Sequence, residues 1–336
     1  MIWLTWRQFR LPAAAVAAIV VTLAIVLVII QLPSAADAQS LFDQITDLDY
    51  SLYYAGLIVL YAIPPIIGIF WGAPLITREL ETGTYRLVWN QTVTRGRWLA
   101  VKLGTAGLVA VTVGGLAGLV VSWWAGPIDT ATLTTPNSSF GARMEPVVFA
   151  ARGIVPIGYS AFAFVLGVTV GILVRRTVAA MAVTLVAYIA VQLIVPVAVR
   201  PYIVPPDQQT VAITEENITM IGINESGRVE RLGVENQPGS WLLSNETVDP
   251  AGNPIKLGEA VALAECSVTL PNQAGPPPGP PTACFAKLTS LGYRQELTYQ
   301  PASRFWGLQA LELAVYLALT ALLTWLSFRL IRRRLS

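Results

Sequence analysis

The chain contains no histidine and only two cysteines, and these shortages exclude whole classes of chemistry. Without histidine there is no Ser-His-Asp or Cys-His nucleophile and no two-histidine zinc motif. Two cysteines alone do not build a structural zinc site. No GxxxxGK[ST] phosphate loop occurs either, so if ATP drives this protein, another chain binds it. Charge is scarce: 12% of the 336 residues are Asp, Glu, Lys or Arg, about half the usual share of roughly 25% in a soluble protein. The net charge of +2 says little by itself. A basic patch on a membrane protein sets topology rather than binding nucleic acid, so no nucleic-acid partner is expected.

What the chain does have is apolar residues, 54% of the total, gathered in blocks rather than in amphipathic periods. Several blocks reach the roughly 20 residues that cross the hydrocarbon core as a helix. Six spans can be read, at about 12–31, 54–75, 99–122, 147–173, 177–197 and 305–328. The expected fold is therefore an all-α polytopic membrane protein with six transmembrane helices. The first run lacks a clear small-residue cleavage site and reads as a retained anchor.

Basic residues orient the spans. Arg7 and Arg10 precede the first, Arg175 and Arg176 follow the fourth, and Arg329, Arg332, Arg333 and Arg334 end the chain. The loop after the first span carries Asp37, Asp43, Asp47 and Asp49 and no basic residue. With six spans every basic cluster falls on one side, which places both termini in the cytoplasm. Arginine greatly outnumbers lysine and alanine is abundant, a bias that suggests a GC-rich bacterial genome, and hence a bacterial plasma membrane.

Three segments follow from this division: a membrane part over 1–199, a polar insert over 200–304 on the outside, and a sixth helix with a basic tail over 305–336. In the insert, Ile218, Met220, Ile221 and Ile223 form a β-prone run of imperfect alternation. Asn224-Glu225-Ser226-Gly227 reads as a turn, followed by a second strand from Arg228. Asp249 to Pro254 is another turn cluster, and Pro276 to Pro281 is extended. A small β-rich external domain is expected. It holds Cys266 and Cys284, which are either two buried thiols or, in an oxidising exterior, a disulfide.

Between the second and third runs, residues 76–104 are polar and basic, with Arg78, Arg86, Arg95, Arg97 and Lys102. Leu80, Gly83, Thr84, Leu87 and Val88 can share one face of a short helix, with Glu79 and Glu81 near its N-terminus, where acids suit the dipole. From physics alone a plain re-entry loop is as good a reading. The residues themselves add more. Glu81-Thr82-Gly83-Thr84, then Thr94-Arg95, then Trp98 to Lys102 resemble, in order and spacing, the first cytoplasmic loop of type-2 ATP-binding-cassette (ABC) permeases. Tyr299 to Trp306, with Gln309 and Glu312, is similar to actinobacterial members of that family.

The resemblance implies an ABC exporter permease, not itself an enzyme. Loop 76–98 would couple to a separate ATPase subunit that binds ATP and Mg, through Arg78, Glu79, Glu81, Gly83, Thr84 and Arg86. A helix carrying Trp3, Trp6, Arg7 and Arg10 would lie along the cytoplasmic interface, a place that also suits Trp and Arg as plain anchors. A second permease copy, most simply as a homodimer, would complete the transporter, and an amphipathic drug, antibiotic or lipid would move outward by alternating access. The long insert departs from the short external loops of the minimal family pattern.

Glu312 lies about two turns into the sixth run at 1.5 Å per residue, where a carboxylate is expensive and marks a functional candidate. An ion pair with Arg152, a polar lining of the exit path, and a protonated or snorkelling acid all remain open. Gly114 and Gly118 in the third run suit close internal helix packing. Pro64-Pro65 and Pro156 predict kinks. The rivals to a permease are a membrane enzyme, which would need converging polar groups in the spans, and a sensor or immunity protein that binds a ligand with the external domain.

Overall fold

The computed structural model describes residues 2–32, 38–84, 94–134, 140–223, 229–257, 266 and 282–334. Six of its helices are long and apolar enough to cross a membrane: Arg10–Ile29, Asp47–Thr82, Arg95–Trp124, Val155–Val174, Thr177–Ile203 and Ala302–Arg333. The protein is a multi-pass membrane protein with a small β region late in the chain. The chain divides into two compact units. One comprises Met1–Ala131, Pro146–Ile203 and Arg304–Ser336, the other Thr132–Glu145 and Val204–Ser303.

In the helical unit, local chemistry sets where each span begins and ends. Thr46 and Asp49 form a capping box at the start of the second span, satisfying two orphan donors reciprocally. Pro64-Pro65 predict a disturbed ladder, and the disturbance takes the form of a π-helical turn over Ile67–Gly72. Pro156 does not kink the fourth span as expected. The run 147–173 is divided instead: a short helix covers Pro146–Ala150, and the spanning helix starts at Val155. Proline is tolerated in a first helical turn, where its missing N–H has no intrahelical acceptor anyway.

The fourth span is the core of this unit. From Val155 to Ile172 nearly every residue is buried, and its most extensive packing is against the second span, with the sixth next. Its contact with the second span is backbone on backbone. A Cβ at Gly72 or Gly167 would overlap the carbonyl of Phe164 or Gly68, and one at Gly68 would lie 2.7 Å from the Ala163 carbonyl. Gly114 and Gly118 of the third span meet Ser160, Pro156 and Gly153 of the same chain, which is internal packing rather than a seam for a second copy. The fifth span is the reverse case, with Val178, Val186, Leu193 and Val197 exposed.

The β unit has a three-stranded antiparallel sheet in the order β1 (Asp207–Ala212), β5 (Arg294–Gln300), β4 (Trp241–Val248), and a hairpin of β2 (Ile218–Ile223) with β3 (Val229–Val234). The imperfect alternation in β2 has a cause: the register shifts between Ile218 and Met220, and a bulge inserts one residue out of phase. Gln295 joins hairpin to sheet, donating to the Leu232 carbonyl at 2.8 Å and to Asn245 Oδ1 at 2.7 Å. Asp249 closes the expected turn by accepting from the backbone N–H groups of Ala251 and Asn253. Cys266 and Cys284 form a disulfide in a core with Ile213, Val229, Leu232, Leu257, Phe285 and Leu288. The turn expected at Asn224–Gly227 and the proline run 276–281 lie outside the described residues.

Candidate functional site

The helix Ala73–Thr82 ends the second span, and it ends because Gly83 takes a left-handed conformation at φ 70°, which glycine adopts without a Cβ penalty. Glu79 and Glu81 therefore sit in the last turn of a helix, not in the first as the sequence suggested. Their own helix dipole opposes them, and each is met by a donor from another span.

Glu79 Oε1 meets Lys102 Nζ at 2.5 Å, and the same ammonium donates to the Leu75 carbonyl at 3.2 Å. Lys102 is only 3% exposed and lies 4.9 Å from the Trp98 ring centroid. Glu81 turns to the fifth span. Its Oε1 accepts from the Thr177 backbone N–H at 2.7 Å and its Oε2 from the Thr177 hydroxyl at 2.5 Å. Thr177 opens the fifth-span helix, so Glu81 fills an orphan donor at a helix N-terminus where negative charge is favourable. Thr177 Oγ1 also lies 3.0 Å from Thr77 Oγ1. Thr94 then caps the third-span helix through the Arg97 N–H at 3.3 Å. The polar ends of the second, third and fifth spans are thus tied together within one turn.

Of the other residues singled out, Thr84 shares a hydrogen bond with Thr82 at 3.0 Å, and Arg78 is exposed. Arg86, with Leu87 and Val88, lies outside the described residues. Trp3, Trp6 and Arg7 lie on the helix Ile2–Ile29, but their side chains are outside the described part. Arg10 is exposed.

A second polar cluster occupies the other end of the bundle, and it corrects the sequence reading. Glu312 does not pair with Arg152. It pairs with Arg200: Nε to Oε2 at 2.6 Å and Nη2 to Oε1 at 2.9 Å, both side chains wholly buried. Tyr159 adds its hydroxyl to Glu312 Oε1 at 2.5 Å, Arg200 Nη1 donates to the Pro146 carbonyl at 3.0 Å, and the guanidinium lies 4.5 Å from the Phe149 ring. Arg152 reaches Asp129 instead, through Nε at 3.2 Å. Its terminal nitrogens meet no acceptor among the described residues, and it lies 5.0 Å from the Tyr53 ring.

The reason is helix length. The fifth helix runs on to Ile203 through a second π turn at Val195–Val199. Arg200, which the sequence reading left in the polar insert, is carried within the bundle facing Glu312. The only signal was its place between Pro196 and Pro201 next to an apolar run. Gln309, noted with Glu312, accepts from the N–H groups of Ile154 and Val155 at 3.0 Å each, holding the start of the fourth span.

Among the described residues no group of His, Cys, Asp and Glu could hold a metal ion. The arrangement is one of clasps between spans. Six spans fastened by polar clasps at both ends make a polytopic membrane bundle. A family model for ABC-2 membrane transporter related proteins matches residues 11–200, more than half of the chain, and the chain belongs to that family. The family implies partnership with an ABC ATPase subunit. Comparison with curated proteins and with solved structures found no match.

Proposed function

We propose that the chain is the permease half of an ATP-driven exporter. The 76–98 loop docks on a cytoplasmic ATPase subunit that binds ATP and Mg, both termini share that side, and two copies form the pathway. An amphipathic compound moves outward by alternating access.

The observation that supports this reading best is the triple clasp at the loop. Glu79 joins the second span to the third through Lys102, and Glu81 joins it to the fifth through Thr177. A push on the loop reaches three spans through charge-assisted hydrogen bonds, which are the stronger kind. Such a push biases transport only if the ATPase contacts the loop differently in its two nucleotide states. The basic clusters favour the cytoplasmic assignment by the positive-inside rule.

The test is Gly83→Pro. Proline is locked near φ −65° and does not adopt the +70° found here. The variant is expected to insert and to bind substrate normally, while substrate no longer stimulates the co-purified ATPase. Normal stimulation would reject the docking role of the loop.

A further inference from the structure

A pocket of about 300 Å³ opens beside the loop-side end of the second span, lined by Pro12, Phe70, Trp71, Pro74, Leu75, Arg78 and Glu79. Its volume is at the small end of the range for ligand sites, about 300–1,000 Å³, so it suits a headgroup rather than a whole amphiphile. Trp71, Pro74, Leu75 and Arg78 recur at i, i+3, i+4 and i+7, a single stripe of the helix.

The lining is graded. Phe70 is 53% exposed and stands at the apolar end. Arg78 stands at the other, about 12 Å along the axis at 1.5 Å per residue. That is the separation between the upper acyl chains and the charged layer of a lipid leaflet. Arg78 forms no ion pair among the described residues. Glu79 brings a second, opposite polarity. Its Oε1 belongs to Lys102, but its Oε2 is buried and has no donor among the described residues. A buried carboxylate oxygen without a donor is costly.

We propose that this pocket binds a glycerophospholipid headgroup that carries both a phosphate and a primary ammonium. The phosphate sits on the Arg78 guanidinium. The ammonium donates to Glu79 Oε2, and the acyl chains run past Phe70. A phosphate with an N–H donor satisfies both polar groups at once, whereas a choline headgroup, with three methyls on nitrogen, has no proton for Glu79. The placement in the inner leaflet rests on the orientation proposed above; the chemistry of the pocket does not.

The test is lipid titration of the delipidated full chain in detergent, read by native mass spectrometry, with phosphatidylethanolamine and phosphatidylcholine of the same acyl chains. Comparing the two lipids interrogates Glu79 without disturbing its ion pair. Phosphatidylethanolamine is expected to bind about tenfold more tightly, the scale of one charge-assisted hydrogen bond. Arg78→Gln, an exposed change that leaves the helix intact, is expected to weaken binding about tenfold, and Phe70→Ala to weaken it for both lipids. Equal binding of the two lipids overturns the proposal, as does binding indifferent to Arg78→Gln. No ATPase is present in the assay, so either result leaves the loop's docking role to be judged by Gly83→Pro alone.

Discussion

Arg200 and Glu312 are the residues on which the far end of the bundle depends. Every polar atom of the pair has a partner, and neither side chain meets solvent. A satisfied buried pair adds little over an apolar substitute, but removing one member strands the other in low dielectric, at about 3–5 kcal/mol. Arg200→Gln and Glu312→Gln are each expected to lower the thermal midpoint of the detergent-solubilised protein. Arg200→Met with Glu312→Leu should lose less than the sum of the corresponding single losses. Strict additivity in thermal unfolding would show that the two do not act as a unit. Arg152→Gln makes the contrast: it should leave the Glu312 pair unaffected and add its own loss independently of Glu312→Gln.

At the scale of elements, what was readable from sequence and what was not divide along one line. Apolar run length is a local quantity, so all six spans were legible. So was the turn at Asp249, whereas the glycine stop of the second helix was not, because Gly83 was placed on the face of a short helix and its left-handed conformation ends the helix there instead. Partners across the bundle are not local. Glu81 was assigned to the N-terminus of its own helix because that is where acids stabilise helices. The principle held, but the N-terminus it serves belongs to a span 96 residues away. Arg200 was missed because a π turn lengthened its helix beyond the hydrophobic run. The glycine contact between second and fourth spans was also unseen, since Gly68-x-x-x-Gly72 gains meaning only opposite Gly167-x-x-x-Gly171. Gly167→Val is expected to force these spans apart, because the obstacle is the Gly68 carbonyl and not a flexible side chain. A loss of at least about 2 kcal/mol is the scale of overpacking. A folded variant with an unchanged midpoint in thermal unfolding would contradict the close backbone contact.

At the scale of the molecule, two units with different stabilising physics share one chain. The helical unit is held by lipid-facing apolar surface and polar clasps. The β unit, Thr132–Glu145 with Val204–Ser303, has a covalent staple inside its core. Its disulfide joins cysteines 18 residues apart, a loop worth about 3 kcal/mol in the chain-entropy model. The double change Cys266→Ala with Cys284→Ala is expected to make residues 204–303 sensitive to limited proteolysis while the spans stay resistant. Equal resistance of both units before and after the change would show that the disulfide is dispensable.

The pairing of Arg200 with Glu312 also has a consequence for biogenesis. Arg200 leaves the ribosome 112 residues ahead of its partner, an interval of roughly 6–22 seconds at 5–20 residues per second. Through that time the end of the fifth span carries a guanidinium without its carboxylate. Residues 204–303 of the β unit are synthesised within the same interval. The buried pair therefore forms only after the last helix has been made. A chain cut short before residue 312 carries Arg200 without its partner.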